Sequence, residues 1–199
     1  MRIIAGTFRR RQLKSLKGIA LRPTSDKLRE TLFNVLGGLV VDARFVDLFA
    51  GTGAVGIEAL SRGAREAIFV EKHPPSTALI KKNLESLEIR KGARVLKSDA
   101  VQALKRLAEE PATAATRVDI LFLDPPYAEK DQYVSVLAFL GSGNLLAENA
   151  VVIAEHQRLL DLPETFGKLE RVRVIRHGDA VLSFFRFRPP SPPEMPRSG

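Results

Sequence analysis

Phe45-Val46-Asp47-Leu48-Phe49-Ala50-Gly51-Thr52-Gly53-Ala54-Val55-Gly56 decides how the rest of this 199-residue chain is read. The first five residues are rich in β-branched and aromatic side chains and form a buried strand. Gly51 to Gly53 then forms a tight turn, and the following residues open a helix that runs to about Arg62. The same strand-then-helix unit repeats downstream. Strands are expected at 67–71, 93–96, 118–123 and 150–155, and helices at 74–87, 99–109 and 131–140. Such alternation implies right-handed βαβ units and an α/β fold with a parallel sheet covered on both faces. Upstream, Leu28, Leu32 and Leu36 recur at helical spacing behind three possible N-caps, Thr24, Ser25 and Asp26, and Gly37-Gly38 ends that helix.

Two regions break the alternation. Leu169–Arg176 and Ala180–Arg188 are strand-like runs joined by His177-Gly178-Asp179, a hairpin signal. At the start, Arg2–Ala5 and Arg11–Leu13 are short strand-like pieces, giving a small hairpin-like extension. The expected organisation is a basic N-terminal extension (1–24), one α/β domain (25–188) and a disordered tail (189–199) with five prolines in eleven residues.

Hydrophobic residues make up 45% and charged residues 27%, as in an ordinary globular protein. The opening residues lack the apolar core of a signal peptide, and no apolar run is long enough to span a bilayer, so a cytoplasmic protein without a membrane partner is expected. With no cysteine, thiolate metal sites and covalent attack by a thiolate on a pyrimidine are excluded, and no metal is expected. The net charge is +8, and its placement is informative. Between Met1 and Ser25 there are seven basic residues (Arg2, Arg9, Arg10, Arg11, Lys14, Lys17, Arg22) and no acidic one. Basic terminal arms of this kind bind nucleic acid.

Asp124-Pro125-Pro126-Tyr127 follows the apolar strand Ile120-Leu121-Phe122-Leu123. Proline cannot donate to a sheet ladder and restricts its predecessor, so the strand stops and a stiff loop begins at its carboxyl end. In open α/β sheets that is where ligands bind. The loop offers a carboxylate, unconsumed backbone carbonyls and an aromatic face, which together suit a flat ring bearing an amine. Asp124 and the Pro125 carbonyl would accept the amine hydrogens, and Tyr127 would stack on the ring.

The glycine turn is ambiguous by itself. Gly51, Gly53 and Gly56, with Glu71 twenty residues after the first glycine, satisfy a dinucleotide-binding fingerprint, so a nicotinamide oxidoreductase is one reading. Asp47, just before the turn, is a poor neighbour for a pyrophosphate but suits a ligand carrying an ammonium. S-adenosylmethionine, which has a sulfonium, an amino acid and no phosphate, fits both ends. The glycines let backbone approach it, Glu71 would accept its ribose hydroxyls, and Asp99, ending the third strand, its adenine amine.

These segments together resemble the RsmD family of bacterial small-subunit ribosomal RNA guanine-N2 methyltransferases. The likeness rests on Arg2–Gly6, Leu21–Thr24, Arg29–Leu36, Asp47–Gly53, Glu58–Gly63 and Asp124–Tyr127, and it extends to about Arg188. It implies a class I, Rossmann-like, S-adenosylmethionine-dependent methyltransferase with a seven-stranded sheet, acting as a monomer on one guanine N2 of 16S rRNA within the small subunit or an assembly intermediate. It further implies that Asp47, Phe49, Gly51, Gly53, Glu71 and Asp99 hold the cofactor, that Asp124, Pro125, Pro126 and Tyr127 hold the base, and that Arg9, Arg10, Arg11, Lys14 and Arg22 grip RNA. Two other readings share the motifs. A DNA adenine-N6 or cytosine-N4 methyltransferase uses similar loop chemistry but needs further chain to read a duplex, and a non-catalytic RNA-binding module could retain the sheet alone.

Overall fold

A computed structural model describes residues 1–15 and 24–188. Arg22 and the proline-rich stretch from Pro189 lie outside the described residues. Five α-helices and eight strands follow in the order α1 (Asp26–Leu36), β1 (Arg44–Leu48), α2 (Ala54–Ser61), β2 (Glu66–Glu71), α3 (Pro74–Ser86), β3 (Ala93–Lys97), α4 (Ala100–Ala108), β4 (Val118–Leu123), α5 (Asp131–Ser142), β5 (Leu146–Gln157), β6 (Thr165–Phe166), β7 (Leu169–His177) and β8 (Ala180–Phe187). They form one sheet in the order β3-β2-β1-β4-β5-β8-β7-β6. The first five are parallel, and β8 runs antiparallel to β5. This is the class I methyltransferase arrangement expected from the sequence, with one two-residue strand, β6, added at its edge.

Local chemistry accounts for the elements. Of the three candidate caps of α1, Ser25 is used, its hydroxyl accepting from the Leu28 N–H at 3.1 Å. Pro74 and Pro75 occupy the first turn of α3, where their missing N–H groups cost nothing. The hairpin between β7 and β8 closes on Gly178 at φ +59°, as short hairpin turns require. β5 starts four residues earlier than its apolar run because a register shift between Val118 and Ile120 lets it absorb the polar Glu148-Asn149 segment.

The sheet divides the core. On one face α4 and α5 cover Val46, Leu48, Leu121, Leu123 and Ala154. On the other, α1 covers Phe45, Ile120, Phe122 and Ile153. Gly56 lets α2 lie tightly on β2, since a Cβ there would come within 2.4 Å of the Phe69 ring.

The N-terminal arm is hairpin-like in path, though it carries a single antiparallel bridge, Arg2 to Gln12, in place of regular strands. The Ile3 N–H donates to the Arg11 carbonyl at 3.0 Å and the Arg10 N–H to the Ile3 carbonyl at 2.9 Å. Ile3 and Leu13 join the core beside Ile57, Phe69 and Ile80. Glu58, fully buried on α2, holds the arm more directionally: its two carboxylate oxygens accept the N–H groups of Ile4 (2.8 Å) and Ala5 (3.0 Å). Its charge is balanced by Arg62 at 2.8 Å and by the fully buried Arg29 at 3.7 Å.

Removing one member of a buried ionic cluster leaves an uncompensated charge, at a cost of about 3–5 kcal/mol. Glu58→Ala should therefore lower the unfolding free energy by about that amount in urea titrations, with loss of amide-exchange protection at Ile4 and Ala5. Wild-type protection at those two amides would show that something else anchors the arm.

Candidate active site

The register across the parallel strands puts Val70, Leu48, Leu123 and Ala154 in one row over β2, β1, β4 and β5. The residues one step further on are Glu71, Phe49, Asp124 and Glu155, all at the carboxyl edge of the sheet. They line a cavity of about 350 Å³ together with Asp47, Gly51, Pro125, Pro126 and Tyr127. The glycine turn and the Asp-Pro-Pro-Tyr loop thus open into one crevice.

Phe49 leaves β1 in the left-handed region, at φ +62°, an uncommon conformation for a bulky residue. Gly51 (φ +54°) and Gly53 (φ +78°) continue the turn, closed by the Gly53 N–H donating to the Ala50 carbonyl at 2.7 Å. Glu71 braces it: one carboxylate oxygen accepts the Gly51 N–H at 2.9 Å, the other the His73 N–H at 2.8 Å. Each oxygen retains a further lone pair, which is what a vicinal diol would need.

Asp47 is almost wholly buried and accepts the Gly56 N–H, in the first turn of α2, at 2.9 Å. Burial raises its carboxyl from the ordinary 3.8 to about 7; the Gly56 hydrogen bond opposes that rise and the Glu71 charge adds to it. An arriving cation would reverse the effect.

On the other wall, Asp124 is half-buried, Pro125 is buried, and Pro126 and Tyr127 are exposed. The Glu129 N–H donates to the Pro126 carbonyl at 2.7 Å, and Lys72 reaches across from the end of β2 to Glu129 at 2.6 Å. Tyr133, buried under this wall, donates its hydroxyl to the Glu155 carbonyl at 2.5 Å. Burial, then the charges of Asp124 and Glu155, push its phenol far above the usual range, so it stays a neutral donor.

Three of the cavity residues that the sequence reading did not assign to the site lie together at β5. Glu155 ends the apolar part of β5, Thr24 donates to its Oε2 at 2.8 Å, and His156 lies beside it. The signal for Glu155 was an acidic residue after an apolar strand, the pattern already applied to Glu71 and Asp124. His156 places Nδ1 at 2.9 Å from the Gln157 carbonyl, which can only accept, so Nδ1 carries the proton and Nε2 accepts from Ser183 at 2.9 Å. Burial lowers its pKa, and the ring remains neutral.

The remaining sequence candidates are placed elsewhere. Asp99 is not among the cavity-lining residues; its Oδ1 caps α4, accepting the Val101 N–H at 3.0 Å, although the Ser98 N–H reaches the Glu71 carbonyl next to the crevice. Gly53 packs against Ile80 and Phe69 behind the turn. Arg9 and Arg10 line a second cleft of about 740 Å³ between the arm and α1. Arg11 donates to the Ser86 carbonyl at 2.8 Å, Lys14 is exposed, and Arg22 lies outside the described residues. Among the described residues there is no group of three or more His, Asp or Glu arranged to hold a metal, and no helix long and apolar enough to cross a membrane.

Among the described residues, four carboxylates (Asp47, Glu71, Asp124, Glu155) line the cavity, against one ammonium, Lys72, that is itself engaged by Glu129. A pyrophosphate would meet repulsion there. A ligand carrying positive charge, hydroxyls and amine hydrogens would meet acceptors on every side.

Comparison with known proteins agrees with that chemistry. Residues 1–186 match the family described as conserved hypothetical protein 95. The chain is 37% identical over 163 residues to ribosomal RNA small subunit methyltransferase D of Escherichia coli K12, covering 82% of this chain and 78% of that protein. It is 36% identical over 161 residues to the protein of the same name from Haemophilus influenzae, covering 79% of each. A solved hypothetical protein of Thermus thermophilus superposes with a TM-score of 0.77 at 31% identity, covering 94% of this chain and 99% of that one.

Asp47 also ties stability to pH. Its folded pKa lies above its unfolded value, so between about pH 4 and 7 the folded protein holds a proton that the unfolded chain has released. The stabilisation is complete below that window and lost as pH rises through 7. Relative to Asp47→Asn, the wild type should therefore lose about 2–3 kcal/mol of unfolding free energy between pH 5 and 8, measured by denaturant titration. A pH-independent difference would place the Asp47 pKa near its ordinary value.

Proposed function

The chain belongs to the conserved hypothetical protein 95 family, and we propose that it transfers a methyl group from S-adenosylmethionine to the exocyclic N2 of one guanine in 16S ribosomal RNA. It acts as a cytoplasmic monomer on the small subunit or an assembly intermediate. The observation that carries this reading is the single acidic crevice joining the glycine turn to the Asp-Pro-Pro-Tyr loop. The same acidity argues against the nicotinamide reading, whose pyrophosphate would face Asp47 and Glu71.

The residues present fit the methyl donor. Asp47 would face its ammonium, Glu71 its ribose hydroxyls, Phe49 and the backbone at Gly51 its adenosine, and Asp99 the adenine amine from beside Glu71. When bound, S-adenosylmethionine supplies a sulfonium-activated methyl carbon for in-line displacement. The protein's own contribution is alignment and electrostatics. Guanine N2 is a weak nucleophile because its lone pair is delocalised into the ring. Asp124 and the Pro125 carbonyl accept its two hydrogens, favouring a pyramidal nitrogen whose lone pair points into the crevice. Once the nitrogen is methylated it is acidic, and the Asp124 carboxylate or water takes its proton. Tyr127, 46% exposed, offers a stacking face for a base turned out of its helix. The basic arm supplies sequence-independent phosphate contacts.

Asp124→Ala should slow methyl transfer to small-subunit particles at least about a hundredfold, while S-adenosylmethionine binding by calorimetry is retained and the wild-type product is N2-methylguanine by mass spectrometry. Wild-type turnover in that variant would remove Asp124 from the chemistry. Arg11 is engaged with Ser86, so the arm is better tested by replacing Arg9, Arg10 and Lys14 together. Affinity for the particle should fall and its salt dependence flatten, with log K against log salt losing up to about 2–3 units of slope. An unchanged slope would place RNA contact elsewhere.

A further inference from the structure

Asp124 has a carboxylate neighbour that the proposed chemistry leaves unused. Leu123 and Ala154 are register partners in parallel strands, so Asp124 and Glu155, one residue beyond, lie side by side on adjacent strand ends. Neighbouring strands are about 4.8 Å apart. Leu123 and Ala154 both face the α4–α5 side, so alternation turns Asp124 and Glu155 to the opposite side, where Thr24 stands at the foot of α1. Both line the crevice.

Glu155 is held at both ends. The Tyr133 hydroxyl donates to its backbone carbonyl at 2.5 Å, and the Thr24 hydroxyl donates to Oε2 at 2.8 Å. Thr24 is itself tied down, its carbonyl accepting from the buried Arg29 at 3.4 Å. Two carboxylates side by side suit a ligand edge that presents two adjacent donors.

Guanine has such an edge. Its N1–H and N2–H groups are adjacent donors on one side of the ring, whereas N1 of adenine, or of any purine lacking the 6-oxo group, is an acceptor. We propose that Glu155 is the specificity-determining residue of the site: it accepts the guanine N1–H while Asp124 accepts an N2 hydrogen, and Thr24 orients its carboxylate. This rests on the guanine-N2 reading above. A purine whose N1 presents a lone pair is turned away because that lone pair would face a carboxylate.

2-Aminopurine keeps the N2 amine, loses the 6-oxo group and presents a lone pair in place of N1–H, so the change in preference between wild type and variants, and not the preference itself, reports the Glu155 contact. Small-subunit particles reconstituted with ligated 16S rRNA carrying either guanine or 2-aminopurine at the methylated position give the ratio of kcat/KM values within each enzyme. Wild type should favour guanine by at least about thirtyfold. In Glu155→Gln, whose amide can donate to N1, the ratio should fall to within about threefold, and in Thr24→Val it should fall partway, with S-adenosylmethionine affinity unchanged in both. Because the ratio is internal to each variant, a general loss of activity does not mimic it. A Glu155→Gln enzyme that keeps the full guanine preference would overturn the assignment. Wild type yielding no N2-methylguanine on the guanine particle would overturn the underlying reading as well, and that result appears before any variant is made.

Discussion

A parallel ladder keeps neighbouring strands in step, and this constraint organises the molecule. Once Leu48 is paired with both Val70 and Leu123, and Leu123 with Ala154, the next residue of each strand must emerge at the same height. Those residues are Glu71, Phe49, Asp124 and Glu155. The strands are buried on both faces by clusters of branched and aromatic side chains, so their register resists slippage: a shift of one residue would turn every core side chain to the wrong face. The site is therefore placed by the core, and its polar groups do not have to find one another.

That placement concentrates carboxylates, and dipolar groups orient three of them. Glu71 takes two backbone N–H groups, Asp47 takes one at a helix start, and Glu155 takes a hydroxyl. Dipolar partners of this kind fix the orientation of a carboxylate. Ion pairs with a buried guanidinium also stand away from the crevice: Arg29 with Glu58 under the arm, and Arg44 with Glu66 and Glu110 at the start of β1. The raised pKa of Asp47 reflects its burial first, with the Glu71 charge a smaller addition.

Much of this was legible in the sequence. Strong apolar periodicity located β4 to the residue, and the glycine turn and the two prolines located the ends of β1 and β4. What escaped depended on tertiary contact. β6 is two residues long, too short for any period, and exists because Phe166 is buried and Gly141 admits its backbone: a Cβ there would come within 1.7 Å of the Phe166 carbonyl oxygen. The early start of β5 is hidden by Glu148 and Asn149. Asp99 shows that an acidic residue before a helix can serve two ends, since its Oδ1 makes the N-cap of α4 while Oδ2 is the oxygen proposed for the adenine amine. Thr24 is the converse case, a residue that reads as a cap and spends its hydroxyl on Glu155.

The arm extends the same principle from the crevice to its surroundings. Burial of Ile3 and Leu13 would hold the arm against the domain but not fix its direction, because apolar contact is indifferent to small slides. A carboxylate accepting two successive N–H groups does fix it, and Glu58 does so for Ile4 and Ala5. Arg29 then links arm to rim, donating to the Arg2 carbonyl at 2.6 Å and to the Thr24 carbonyl at 3.4 Å. Asn83 makes a second link, from the Lys14 carbonyl at 3.2 Å to the Thr52 carbonyl of the glycine turn at 3.0 Å. The basic side chains are thereby held at a set distance from the crevice by buried polar groups with defined geometry. A polyanion held by a free arm would sample many registers over the cavity, whereas one held by this arm would be placed relative to Asp124 as soon as it bound, which is the kind of alignment the proposed methyl transfer would use.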